Sequence, residues 1–112
     1  IENNILKEMK KTKNLGLIKE SAIVEDIQKI LNPVSVVLFG SFAKGTNDEK
    51  SDIDLLIIAN KKKQLRLLDI QGNELQIIQL TPLEWKEKVK KDKPFYQEII
   101  TTGIVLLGEM PI

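Results

Sequence analysis

The chain has no cysteine and no histidine among its 112 residues, and these absences narrow its chemistry before any motif is read. Without them it can form no disulfide, thiol nucleophile, zinc finger or imidazole base, so any metal it holds must be a hard cation bound through oxygen. Aromatic residues make up 4% of the sequence, too few for an extended surface that stacks on nucleic-acid bases. No apolar run approaches the roughly 20 residues that cross a bilayer, and Ile1-Glu2-Asn3-Asn4 lacks the blocks of a signal peptide, so no membrane role and a cytoplasmic location are expected. Charge of one sign is missing too: 17 basic residues face 16 acidic ones, so no net field recommends a polyanionic partner.

What is present suits one compact domain, with 42% hydrophobic residues over 112 positions. The non-Met start suggests a piece of a longer chain. Apolar residues at Ile5, Leu6 and Met9 predict a short helix over residues 5–13, interrupted by Asn14-Leu15-Gly16. Ile18, Ala22, Ile23, Ile27, Ile30 and Leu31 recur at helical spacing and predict one amphipathic helix over residues 18–31, stopped by Asn32-Pro33.

Two buried strands follow, residues 34–39 ending at Gly40 and residues 52–59 opening on two acids. Residues 61–68 are a candidate short helix, and residues 74–80 alternate polar and apolar as a half-solvated strand. Thr81-Pro82-x-Glu84 combines a capping hydroxyl, an N1 proline and an N3 acid, predicting a helix to about Lys91. A further helix over residues 94–102 and a strand over residues 104–108 complete the order. The lysines between Lys86 and Lys93 are interleaved with Glu87 and Asp92 and read as a solvated helix face, and Trp85, Phe95 and Tyr96 as core or partner-facing anchors.

The chemistry concentrates at two places. Asp52 and Asp54, two apart on a strand, project from one face with Cα atoms about 6 to 7 Å apart. Carboxylates that close repel unless a cation lies between them, and a divalent ion, Mg²⁺ above all, suits the oxygen donors. Upstream, the apolar strand into Gly40-Ser41 ends in a small flexible turn with a hydroxyl, where backbone N–H groups can approach a phosphate. Each feature alone is common, as a solvated strand mouth or an ordinary strand-ending glycine.

Together they are specific: Gly40-Ser41, ten intervening residues, then Asp52-Ile53-Asp54. This pattern, within Leu38-Phe39-Gly40-Ser41-Phe42-Ala43-Lys44-Gly45 and Ser51-Asp52-Ile53-Asp54-Leu55-Leu56, resembles the minimal branch of the DNA polymerase β-like nucleotidyltransferase superfamily. The closing Gly103-Ile104-Val105 is similar to the strand that often ends such domains.

The resemblance implies an α/β (α+β) fold, a mixed β-sheet flanked by helices. It implies a minimal nucleotidyltransferase domain over residues 18–112; residues 1–17 lie outside the resemblance, and their helix and the non-Met start suggest an N-terminal helical extension that would end an upstream domain. Gly40 and Ser41 would contact the β- and γ-phosphates of ATP, with Lys44 as a further phosphate contact, and Asp52 and Asp54 would ligate Mg²⁺ or Mn²⁺. Such sites catalyse by positioning and charge neutralisation, so the lack of histidine and cysteine is no obstacle.

The family pattern also expects a third carboxylate on a later strand. Residues 74–78 offer Glu74 or, in the aligned register, the amide Gln76, and Glu74 is the candidate catalytic acid. The implied activity is transfer of AMP from ATP to a protein or small-molecule hydroxyl. The implied partners are the nucleotide and either a HEPN-type RNase, for which the chain would be the antitoxin, or a second copy; nucleic acid is not expected for this domain alone. A nucleotide- or partner-binding module without catalysis, and a portion of a DNA-binding regulator, are the alternatives.

Overall fold

The computed structural model describes residues 2–66 and 69–112. The elements run α1 (Glu2–Glu20), α2 (Ile23–Leu31), β1 (Ser35–Phe39), α3 (Gly40–Lys44), β2 (Ile53–Ile58), β3 (Leu75–Leu80), α4 (Pro82–Lys91), α5 (Lys93–Thr102) and β4 (Ile104–Gly108). The four strands form one mixed sheet in the order β3-β2-β1-β4. The inner hairpin β1–β2 and the pair β1–β4 are antiparallel, while β2 and β3 are parallel.

Strand alternation splits the core into two layers. Val36, Leu38, Ile53, Leu55 and Ile57 face one side, where they pack with Ile18, Ile23, Ile27, Leu31, Phe42 and Ala43 from α1, α2 and α3. Val37, Phe39, Leu56 and Ile58 face the other and meet Trp85 and Ile99 from α4 and α5. Both faces of β1 and β2 are therefore covered, which is why their sequences are continuously apolar rather than alternating. Each such side chain contributes about 1.5–3 kcal/mol on burial.

The aromatic residues belong to the second layer. Phe39 meets Phe95 edge-on at 5.5 Å between ring centroids, Trp85 lies 5.9 Å from Tyr96, and the Trp85 indole N–H donates to the Pro111 carbonyl at 3.1 Å. They are core anchors, while Lys88 and its neighbours lie outside that core: Lys88 pairs with Asp92 at 3.1 Å.

Two helix boundaries differ from the sequence expectation. Residues 5–13 are not a separate helix: α1 continues through Asn14-Leu15-Gly16 to Glu20. Mid-helix Gly16 costs about 1 kcal/mol relative to alanine, but Asn14 and Ile18 on either side are buried at 3% and 2% exposure, so tertiary contacts override the local preference. The segment over residues 18–31 is two helices rather than one. The Ser21 hydroxyl donates to the Ile18 carbonyl at 2.6 Å and accepts from the Ile23 N–H at 3.3 Å, so it ends α1, and Ala22 turns the chain with a left-handed φ of 58°.

The helix expected over residues 61–68 is absent from residues 61–66, and residues 67–68 lie outside the described residues. The start of α4 follows the sequence: Thr81 accepts from the Glu84 N–H at 3.2 Å and its own N–H donates to the Glu84 carboxylate at 2.9 Å. No described helix is long and apolar enough to cross a membrane.

Candidate active site

The site forms where β1 ends and β2 begins. Antiparallel pairing sets Phe39 opposite Asp54, so the turn that follows Phe39 starts beside that carboxylate. Gly40 takes a left-handed φ of 74°, and a Cβ built on it would collide with the Asp54 carboxylate, lying 3.1 Å from Cγ as well. Only glycine gives both the backbone sign and the clearance. The chain then enters α3, whose first turn carries Ser41 and whose last residue is Lys44. A left-handed Gly45 closes α3 by donating its N–H to the Ser41 carbonyl, and the Thr46 N–H donates to the same oxygen at 3.0 Å.

The intervening loop is organised by its own side chains. Asp48 accepts from the Lys50 N–H at 2.9 Å and from the Ser51 hydroxyl at 3.2 Å, and the Asp48 N–H donates to Ser51 Oγ at 2.9 Å. Asn73 donates to the Ser51 carbonyl at 2.9 Å, holding the entry to β2 against the entry to β3. The ten-residue spacing between Ser41 and Asp52 is thus a folded connection that returns the acids to the turn.

Asp54 shares the sheet face of Leu56 and Ile58, the side covered by α4 and α5. Asp52 precedes β2 with the same parity and is exposed. In the parallel pairing Asp54 stands beside Gln76, and Glu74 immediately precedes β3. The Ile53 N–H donates to the Glu74 carbonyl at 2.8 Å. The position next to Asp54 therefore belongs to the amide Gln76, and among the described residues no three carboxylates gather as metal ligands.

Burial, then the negative charges of Asp52 and Glu98, raise the Asp54 carboxyl above its ordinary 3.8. Glu98 lies on α5, and its carboxylate pairs with the Lys44 ammonium at 3.4 Å. The sequence reading missed Glu98: it lies 44 residues beyond Asp54, on a helix whose pattern reports its packed side and nothing about its reach to the site. The donor set fits a divalent cation, because it is all oxygen and Asp54 is under a like-charge pressure that a cation relieves.

This combination of a glycine turn against an acidic strand entry on a mixed sheet defines a class. The nucleotidyltransferase domain family model matches residues 20–105, and the chain belongs to that family. Among curated relatives it is 31% identical over 99 residues to "Putative protein adenylyltransferase MJ0141" of Methanocaldococcus jannaschii, covering 80% of this chain and 95% of that protein. It is also 50% identical over 34 residues to "Putative protein adenylyltransferase MJ1305" of the same organism, covering 30% of this chain and 23% of that protein. The chain is a transferase of nucleoside monophosphate groups.

Proposed function

We propose that the chain transfers AMP from ATP to a hydroxyl group of a protein. The observation that carries this reading is the seating of the Gly40 backbone against the Asp54 carboxylate, which sets the Gly40-Ser41 turn beside the acidic start of β2. Asp52 and Asp54 would hold Mg²⁺, and Gly40 and Ser41 would receive the β- and γ-phosphates. When bound, Mg²⁺ neutralises triphosphate charge that these acids would otherwise repel. Lys44 would leave Glu98 for a phosphate oxygen; both side chains are partly exposed, so the pair it gives up is weak.

In the reaction the acceptor oxygen attacks the α-phosphorus, forming the new O–P bond as the bond to the bridging oxygen of the β-phosphate breaks. Pyrophosphate leaves with that electron pair. The hydroxyl proton passes to a base, for which Glu74, just before β3 and beside the entry to β2, is the candidate. The choice of adenylate and of a protein acceptor is supported by the names of the two relatives; a HEPN-type RNase is the first acceptor to try.

A second reading, a nucleotide-binding module without turnover, is favoured by Gln76 in the place beside Asp54, since an amide neither holds Mg²⁺ strongly nor accepts a proton. Labelled ATP with Mg²⁺ and a candidate acceptor separates the two. Label on the acceptor, lost in Asp54→Asn, is the expected result. Tight ATP binding with no transfer to any acceptor and no pyrophosphate release would establish the second reading instead.

A further inference from the structure

Helix α1 lies almost wholly outside the residues matched by the family model, which begin at 20. It is nevertheless fastened to the segment that carries the phosphate turn, at three levels along one helical face. At the first, Gly45 sits so close to the Lys7 backbone that a Cβ there would collide with the Lys7 carbonyl oxygen and lie 2.9 Å from its carbon. At the second, the Lys10 ammonium donates to the Asn47 carbonyl at 3.0 Å.

At the third level, the Asn14 amide donates to the Phe42 carbonyl at 3.0 Å and to Asn47 Oδ1 at 2.9 Å, while the Asn47 amide returns a bond to Asn14 Oδ1 at 3.4 Å. Residues 7, 10 and 14 follow the i, i+3, i+7 spacing of a single helix face. The contacts fall on residues 42–47, immediately after Gly40 and Ser41.

We propose that α1 is a working part of the nucleotide site, and that Asn14 is the positioning residue through which it fixes the Gly40–Lys44 turn. The inference rests on the reading of that turn as the phosphate contact. α3 has only five residues and cannot hold its own orientation. Its inner side is packed through Phe42 and Ala43, but rotation about that apolar contact is opposed by directional contacts: the buried one comes from Asn14 of α1, while the Lys44–Glu98 pair to α5 is partly exposed and weak. Asn14 is the sole fully buried amide in this set, at 3% exposure with its polar atoms engaged. A buried amide with this many partners specifies one arrangement where an apolar residue would permit several.

The test uses the full chain in three variants. Asn14→Leu keeps the volume and removes the bonds, Lys10→Met removes only the exposed tether, and Ile27→Val is a core control in α2. Amide hydrogen exchange across residues 40–47 is expected to accelerate in Asn14→Leu, and less so in Lys10→Met, but to stay at the wild-type rate in Ile27→Val under conditions of equal global stability. MgATP affinity by calorimetry is expected to fall about fivefold in Asn14→Leu, with less than additive loss when combined with Ser41→Ala, because both act on one turn.

Unchanged exchange over residues 40–47 in both tether variants, or losses that simply add with Ser41→Ala, would overturn the proposal. If the wild-type chain binds no nucleotide while exchange still accelerates, the transferase reading of the turn falls and the positioning by α1 stands.

Discussion

Replacing Gly40 by alanine separates the turn's structural demands from its chemistry. An L residue at the observed φ of 74° costs about 1 kcal/mol in backbone strain. The new Cβ would also land on the Asp54 carboxylate, so either Asp54 leaves its rotamer, at about 0.5–1.5 kcal/mol, or the Phe39–Asp54 end of the hairpin opens. The expected loss is about 2 kcal/mol, a large share of the 5–15 kcal/mol typical of a domain. Gly72→Ala supplies the comparison, since Gly72 also has positive φ, at 86°, but no atom within 4 Å of a Cβ. It should lose only the backbone part, about 1 kcal/mol. Urea denaturation measures both variants, and calorimetry with MgATP reads the site, where Gly40→Ala should weaken binding at least tenfold while Gly72→Ala stays near wild type. Equal stability of the two variants, with normal MgATP binding by Gly40→Ala, would refute the claim that the turn and Asp54 share one close contact.

Further outcomes follow from the charges around Asp54 and from the α4 cap. Because its folded-state pKa is raised, the contribution of Asp54 to the stability of metal-free protein is fully present below 3.8 and is lost as pH rises through the folded value. Thermal melts with and without Mg²⁺ should therefore show this slope in the wild type, its reversal by the cation, and neither in Asp54→Asn. Glu98→Gln frees Lys44 and removes a negative charge facing the site, so MgATP should bind about two- to fivefold tighter, and more so at low salt; unchanged affinity would place Lys44 outside the reach of the phosphates. Gln76→Glu sets a third carboxylate beside Asp54 and should strengthen Mn²⁺ binding, measured by electron paramagnetic resonance. Thr81→Ala removes the hydroxyl half of the capping box and should cost about 1 kcal/mol in denaturant unfolding without changing nucleotide affinity.

The sequence by itself determined whatever short-range geometry controls. Continuous apolar runs specified β1 and β2 as strands buried on both faces, Thr81-Pro82-x-Glu84 specified the start of α4, and the acids at Asp52 and Asp54 marked the entry to β2. The Gly40-Ser41 spacing to Asp52 marked the family, which the match over residues 20–105 bears out. Tertiary structure decided the remainder, because those features depend on which distant segment arrives beside a residue. Asn14-Leu15-Gly16 has the local preferences of a break, yet the carbonyl of Phe42, 28 residues away, makes Asn14 a buried anchor and keeps α1 whole. Ser21 and Ala22 divide an unbroken apolar period because a hydroxyl satisfies the backbone on either side of it. Strand register alone chose Gln76 over Glu74 as the neighbour of Asp54, and the packing of α5 on the sheet carried Glu98 to the site. Periodicity reports the face a residue turns inward; hydrogen-bond register and helix docking determine what waits there.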